Sequence, residues 1–416
     1  MRRALLVNLG SPEMDRLAAE LEARGALVGM VRRYVNKRRG WERALAALPL
    51  LGGAYVATLG RRLPPAGLAG ERVFEAGLLA DFTLAAASRL GRTVPALHAR
   101  LGNSLQRRME RGVAAGAREH VAGAEVVVAN YVVAGPAFEC ARAAGLRTIL
   151  NYPIAHHAWQ YRFFAEQARL RPEFAAALPD FFGDRDAHRA QLDREIDLAD
   201  EILVGSSFVR NTFVSEGIDR DRIRVVPYGV DLARFSPRAS PRPAGSAFRA
   251  LFVGQIGERK GVSYLLDAFR AFRGSGTELH LVGDFVAGDE VYRRDRDLFM
   301  HTANVPQARL PQLMREADVF VFPTLVEGLG MVVIEAMACG LPVIVTPAGP
   351  DEVVRDGVDG FVVPIRDSAA ITDRLTRLRD DPQLRLRMGT AALQRAAEWT
   401  WTRYARDAAD IVLGQV

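Results

Sequence analysis

The sequence predicts an α/β protein made of two doubly wound, parallel-sheet domains. Short apolar runs rich in β-branched and aromatic residues alternate with helical stretches and Gly-containing turns along both halves, the pattern of buried parallel strands with crossover helices. At 416 residues the chain is too long for one ordinary core and fits two of roughly 200 residues each. Residues 236–246, SPRASPRPAGS, form the Pro/Ser/Gly-rich linker that composition chooses as a boundary. With 49% hydrophobic and 25% charged residues, the balance is that of a soluble globular protein.

In the first half, Ala4–Asn8 reads as a strand, Gly10-Ser11-Pro12 as a turn, and Glu13–Arg24 as a helix ended by Gly25. Arg2-Arg3 followed by Ala4–Leu9 is too short for a signal-peptide core. Strand Glu125–Asn130, helix Pro136–Ala144 and strand Arg147–Asn151 follow, and the last runs into Tyr152–His157. This puts the pair His156-His157 at the carboxyl end of a strand. Zinc is disfavoured there, because neighbours at one strand end cannot both ligate and no third ligand is near in sequence. A charged helical stretch, about Ala158–Leu198, contains Asp184-Arg185-Asp186, read as a solvated helix start. Glu201–Gly205 is a strand, Ser206 a plausible helix cap, and Arg222–Pro227 the next strand.

The second half restarts with strand Ala250–Val253, the loop Gly254–Gly261 and helix Val262–Phe272. Glycines, the cations Arg259 and Lys260, and a helix start together describe a diphosphate cradle that includes Gly257. Strand Glu278–Val282, a connection around Asn304-Val305-Pro306, and helix Leu310–Ala317 lead to the run Val319–Phe322. The turn Glu327-Gly328-Leu329-Gly330, a helix Met331–Ala338 closed by Gly340, and the strand Leu341–Val345 complete a strand–loop–helix–strand unit. Its loop lies at a strand's carboxyl end and a helix's amino end, where doubly wound sheets bind ligands and free N–H groups suit phosphate. Glu327 stands in the loop and Glu335 eight residues on, inside the helix. The last helix spans roughly Arg395–Val412, with Trp399 and Trp401.

Glu, seven residues, Glu, then Gly-Leu-Pro-Val-Ile and the turn Thr346–Pro350, closely resembles the donor-binding segment of glycosyltransferase family 4, retaining enzymes of the GT-B fold. Tyr228-Gly229-Val230-Asp231 with Phe235 and Pro237 resembles the interdomain segment of that family, with Tyr228 where Asn is common. The resemblance implies two Rossmann-like domains facing across a cleft: residues 1–240 for the acceptor, 241–395 for the nucleotide sugar, and a helix 396–416 crossing back to the first domain. It implies transfer of a sugar from a nucleoside diphosphate sugar to a glycan or lipid-linked acceptor, with retention at the anomeric carbon. His156, Lys260 and Glu327 are the catalytic candidates; Arg259, Lys260, Gly257, Gly328, Leu329, Gly330, Glu335 and Val305 are the donor-binding ones. In the family an Arg follows the first Gly of the phosphate loop; here that position is Gln255, and Arg259 is the candidate replacement. Gly10 and Ser11 stand where the amino-terminal domain carries its acceptor loop. No metal or other cofactor is expected, since the cationic loop supplies the positive potential that the leaving phosphate needs.

Charge adds one expectation. The excess of 55 Lys+Arg over 49 Asp+Glu is modest, but residues 31–62 hold eight basic residues against the single acid Glu42. Between them lies the uncharged stretch Ala44–Gly60, edged by Trp41 and Tyr55. This composition suits an interfacial anchor on an anionic membrane, which would put the protein on the inner face of the cell membrane as a peripheral, otherwise cytoplasmic protein. No run of 18 uncharged apolar residues indicates a spanning helix. Nucleic-acid binding is disfavoured, because no nucleic-acid motif accompanies the charges. The two cysteines, Cys140 and Cys339, read as small core residues rather than a disulfide. A sugar-nucleotide epimerase or a non-catalytic sugar-nucleotide sensor of the same fold are the alternatives, and a dinucleotide oxidoreductase lacks its Gly-x-Gly-x-x-Gly.

Overall fold

A computed structural model describes residues 2–48, 55–56, 59–60, 62–79, 82–83, 108–179, 185–240, 242–243, 245–303 and 305–415. Two all-parallel sheets organise it. The first has seven strands: β1 (Ala4–Asn8), β2 (Leu27–Arg32), β3 (Val73–Glu75), β4 (Val126–Asn130), β5 (Arg147–Asn151), β6 (Glu201–Val204) and β7 (Ile223–Val225), in the order β3-β2-β1-β4-β5-β6-β7. The second has six: β8 (Phe248–Val253), β9 (Thr277–Val282), β10 (Met300–Thr302), β11 (Val319–Phe322), β12 (Val343–Val345) and β13 (Gly360–Val362), in the order β10-β9-β8-β11-β12-β13. The central strands β1, β4 and β11 are buried at every position, which is why they read as unbroken apolar runs rather than alternating ones.

Strand order reverses between β1 and β4 in the first sheet and between β8 and β11 in the second. At such a switch point the loops leave on opposite faces and open a crevice at the carboxyl ends of the strands. The two crevices carry the loops Gly10–Ser11 and Tyr131 on one side, and Gly254–Gly261 and Thr324–Gly330 on the other.

Several elements differ from the sequence expectation. The charged stretch 158–198 is not one helix: His157–Leu170 and Arg185–Leu198 are separated by the tighter turn Pro172–Ala177, where Pro172 cannot continue an α-helix. Asp184 lies outside the described residues, and Asp186 sits in the first turn of its helix. The terminal helix does not run from Arg395. A helix Pro382–Ala396 ends, Ala397–Trp399 form a turn, Thr400 is extended, and a new helix Trp401–Leu413 starts with the Thr400 side chain accepting from Arg403 N–H. That last helix lies on the helix Pro12–Ala23 of the first sheet, fixed by Arg24 to Asp410 (2.5 Å) and by Arg147 donating to the Ile411 and Val412 carbonyls. Strands β2, β3, β10 and β13 were not anticipated.

The basic segment is also less open than its composition suggests. Arg32 ends β2, is buried, and pairs with Asp15 at 2.9 Å; Lys37 and Arg39 pair with Glu75. Trp41 and Leu48 remain about half exposed beside Arg38 and Arg43. Within the apolar stretch 44–60, Tyr55 and Leu59 are buried against Tyr34, while residues 49–54 and 57–58, together with Arg61, lie outside the described residues. Among the described residues no helix is long and apolar enough to cross a membrane.

Candidate functional site

The phosphate turn begins where β8 ends. Glu258–Lys260 is a single tight turn with Gly257 before it and Gly261 after it. Gly261 has φ +66°, and a Cβ there would lie 1.9 Å from the Pro323 carbonyl oxygen, so only glycine lets this turn close against the end of β11. The Leu325 N–H donates to the Arg259 carbonyl at 2.9 Å, tying the two switch-point loops together.

On this frame Lys260 and Arg259 converge on Glu327. The Lys260 ammonium contacts Glu327 Oε2 and lies 4.7 Å above the Phe322 ring, while Arg259 Nη1 stands 3.4 Å from the same oxygen and donates to the Val326 carbonyl at 3.0 Å. Glu327 Oε1 accepts from the Gly328 N–H at 3.0 Å. Lys260 is buried, and that burial, followed by the neighbouring Arg259 charge, pulls its ammonium well below the ordinary lysine value; the Glu327 carboxylate opposes both. Burial likewise lowers Arg259, to about 10, which leaves it charged at neutral pH; Tyr131 of the other sheet faces it. A buried and a half-buried cation beside one carboxylate make a region of positive potential, the setting in which an anionic ligand is held strongly.

Beyond Glu327, Gly330 takes φ +78° and starts the helix Met331–Ala338, and Leu329 is buried. Glu335 lies half-buried on that helix with its carboxyl pushed up to about 7 by burial, Arg234 of the interdomain segment acting against the shift. Arg234 reaches Gln307 at 3.2 Å, next to half-buried Val305 and exposed Pro306. Asn304 lies outside the described residues.

The opposite wall comes from the first sheet. Gly328 packs so closely on the Pro153 carbonyl that a Cβ would meet it at 1.9 Å, and Ser206 donates its hydroxyl to the Gly328 carbonyl. Ser207 N–H donates to Glu352 at 2.7 Å. Ser206 was read from sequence only as a helix cap; it serves as one, at 3.3 Å from Val209 N, and also bridges the cleft. Glu195, not singled out in the sequence, is fully buried and accepts from the N–H groups of Val132 (2.6 Å) and Gly135 (3.3 Å), fixing the loop after Tyr131. Val132 has φ +75°, costly for a β-branched residue, which marks this loop as held in place.

His156 is the cap of the helix His157–Leu170. Its Nδ1 accepts from Ala158 N–H at 3.2 Å, and its ring stacks on His157 and meets the edge of Phe213. Burial lowers its pKa to about 4, so the ring is neutral, and with Nδ1 accepting, Nε2 carries the hydrogen. His157 Nε2 lies 2.9 Å from Asp193 and its Nδ1 3.3 Å from the Tyr152 hydroxyl. The fold thus supplies the third ligand-type group that was missing in sequence: ligand atoms of His156, His157 and Asp193 lie within 4.8 Å of one another. Three of the four ring nitrogens already hold the hydrogen bonds just named, which a metal would have to displace.

Gly10 and Ser11 sit at the first switch point. Their N–H groups do not face a ligand, because both donate to Asn8 Oδ1 at 2.9 Å. Asn8, Asn130 and Asn151, at the ends of β1, β4 and β5, form a buried hydrogen-bonded ladder beneath them.

Residues 247–381 match the family described as glycosyl transferases group 1. The chain is 33% identical over 231 residues to D-inositol 3-phosphate glycosyltransferase of Pseudarthrobacter chlorophenolicus, covering 51% of this chain and 55% of that protein. It is 33% identical over 232 residues to the GDP-mannose-dependent alpha-(1-6)-phosphatidylinositol monomannoside mannosyltransferase of Mycolicibacterium smegmatis, covering 50% of this chain and 61% of that one. The matches span about half the length of these curated relatives. Among solved structures, sucrose-phosphate synthase from Thermosynechococcus elongatus superposes with a TM-score of 0.65 at 18% identity, over 99% of this chain and 98% of that one. Anabaena HepE in complex with UDP-glucose does so with a TM-score of 0.63 at 16% identity, over the whole of both chains. The chain therefore has the GT-B fold of two parallel-sheet domains, and residues 247–381, within the second of them, match the glycosyl transferases group 1.

Proposed function

We propose that the protein is a retaining glycosyltransferase that uses a nucleoside diphosphate sugar. The observation that carries this reading is the meeting of Lys260, Arg259 and Glu327 at the second switch point, facing Tyr131 and Pro153 across the crevice. The donor diphosphate takes the two cations and the N–H groups around Gly328–Gly330, and Glu335 accepts from the ribose hydroxyls. As the bond from the anomeric carbon to the β-phosphate oxygen breaks, negative charge grows on that oxygen, where Lys260 stabilises it without reorganisation. The acceptor hydroxyl attacks from the same face and its proton passes to the departing phosphate. In this scheme the cations do the electrostatic work of a metal. Neutral His156 offers an Nε2–H hydrogen bond rather than a charge.

The acceptor is a glycan or a lipid-linked intermediate, met at the inner face of the cell membrane. Trp41 and Leu48, exposed beside Arg38 and Arg43, supply apolar and cationic contacts to an anionic surface. The test is release of free nucleoside diphosphate from a panel of UDP-, GDP- and dTDP-sugars, with and without lipid extract, followed by NMR of the product's anomeric configuration. Acceptor-dependent release with the donor's configuration kept supports the reading. An inverted product overturns retention, and no release with any donor overturns transfer. Sedimentation with anionic but not neutral vesicles, weakened by salt, supports the membrane contact.

A further inference from the structure

The helix His157–Leu170 belongs to the first sheet, yet its far end is built into the phosphate turn of the second. His156 caps one end; Gln167, about 15 Å along the axis at 1.5 Å per residue, lies near the other. Gln167 is fully buried. Its amide donates to Glu258 Oε1 at 2.6 Å and to the Tyr264 hydroxyl at 2.9 Å, and its Oε1 accepts from Arg366 Nε at 2.8 Å. All three partners belong to the nucleotide-side domain. Phe163 and Glu166, on the same helical face, engage the same Arg366, one beneath its guanidinium and one in an ion pair of 3.0 Å.

Glu258 is also fully buried and stands two residues before Lys260 in the same tight turn. Its Oε1 takes a second bond from Ser263 at 3.0 Å, while its Oε2 has no hydrogen-bond partner among the described residues. Two polar groups with no access to water, joined across the domain boundary, are costly unless they keep each other satisfied. Joined, they hold the turn that presents Lys260. The Ala177 carbonyl closes on the preceding Gly257, where a Cβ would lie 2.9 Å away.

We propose that Gln167 and Glu258 are positioning residues: their bond holds the Lys260 turn at the height the leaving phosphate needs when the two domains are closed. This rests on the glycosyltransferase reading above. Neither residue touches the Lys260–Glu327 pair, so the joint acts through the turn. Burial pushes the Glu258 carboxyl up to about 7. The charges that face it are Arg171, which pairs with Asp267, and Glu173, both from the acceptor-side domain; Arg366 reaches it only through Gln167. The buried carboxyl binds its proton more tightly than an exposed one, so the closed joint has its full advantage below the ordinary value of 4.5 and loses it as pH rises from there through about 7.

The test compares Gln167→Leu, Glu258→Ala, Glu258→Gln and the double variant Gln167→Leu/Glu258→Ala by transfer kinetics and by calorimetry with UDP and GDP. Gln167→Leu and Glu258→Ala are expected to lower kcat about tenfold or more, with diphosphate affinity within about twofold of the parent. The double variant should be no worse than the single ones, because both break one bond. Glu258→Gln should keep most of the parental rate and remove the fall in kcat that the parent shows as pH rises from 4.5 to about 7. Unchanged kcat in Gln167→Leu, additive losses, or a loss of diphosphate affinity equal to the loss of rate would each overturn the proposal. Should the parent show no transfer, the joint is read by hydrogen exchange of residues 257–266: lower protection in Gln167→Leu supports it, and equal protection overturns it.

Discussion

Replacing Glu327 by Gln should make the protein bind a bare nucleoside diphosphate more tightly while making it a poorer catalyst. The Glu327 carboxylate holds the Lys260 ammonium and stands 3.4 Å from Arg259. An incoming diphosphate needs both cations, so it must displace this carboxylate. Glutamine keeps the acceptor that the Gly328 N–H uses at 3.0 Å but loses the charge. A hydrogen bond to a charged group contributes about 1.5–3 kcal/mol and a neutral one about 0.5–1.5, so the competing contact weakens by roughly 1–1.5 kcal/mol. At about 1.4 kcal/mol per factor of ten, the Kd for UDP or GDP should fall by roughly five- to tenfold. Titration calorimetry at fixed ionic strength measures this directly. Transfer should drop in parallel, because the displaced carboxylate is the group left to take a sugar hydroxyl. An unchanged or weaker Kd would refute the competition, and faster turnover would refute the sugar contact.

Lys260→Ala should lower kcat by roughly 10²–10³-fold, the usual loss for one preorganised oxyanion donor; near-parental turnover, read in a saturating-donor assay, would contradict the cradle. Glu335→Ala should weaken calorimetric binding of bare UDP and GDP. Because burial holds this carboxyl near 7 and its ionised form is the better acceptor, parental affinity should rise with pH between about 6 and 8 and be flat in Glu335→Gln. His156→Ala should reduce transfer without changing diphosphate affinity. His156→Asn, which keeps a cap acceptor for Ala158 N–H, separates the imidazole's contribution from the cap's: recovered thermal stability with transfer still low is the expected pattern. Gly229→Ala should lower stability by about 1–3 kcal/mol in a denaturant titration, since its Cβ would lie 2.2 Å from the Thr400 carbonyl carbon.

The sequence disclosed β11, its helix and β12 almost residue by residue, because a strand buried on both faces leaves an unbroken apolar run and Gly340 ends the helix visibly. It did not disclose β3 or β10, three-residue strands at sheet edges that are too short for any periodicity to register. It mistook the break at Pro172 for a continuing helix, since the charged residues on either side share one composition. The candidate site was legible as a list of residue types. Its wiring was not: Gln167 and Glu258 are 91 positions apart, and nothing local marks either as buried. Nothing in the sequence signalled that Glu327 also pairs with Lys260 and Arg259 of the other switch-point loop. Arg32 counted as a surface charge until β2 carried it inside to Asp15.

The crossing at Val230 and Thr400 has a practical side. The chain passes between the domains twice, at neighbouring points joined by a Val230–Thr400 bridge and by Val230 N–H donating to the Trp399 carbonyl at 3.0 Å. The helix Trp401–Leu413 beyond it belongs physically to the layer of the first sheet, seated on Pro12–Ala23 and on Arg147. A chimera made with one splice in the 236–246 linker would therefore graft a foreign helix onto the recipient's first layer and strand a bare apolar groove. Exchanging the first-sheet domain by recombination requires two splices, one on each strand of the crossing, so that residues 401–413 travel with the domain they cover rather than with the one they follow.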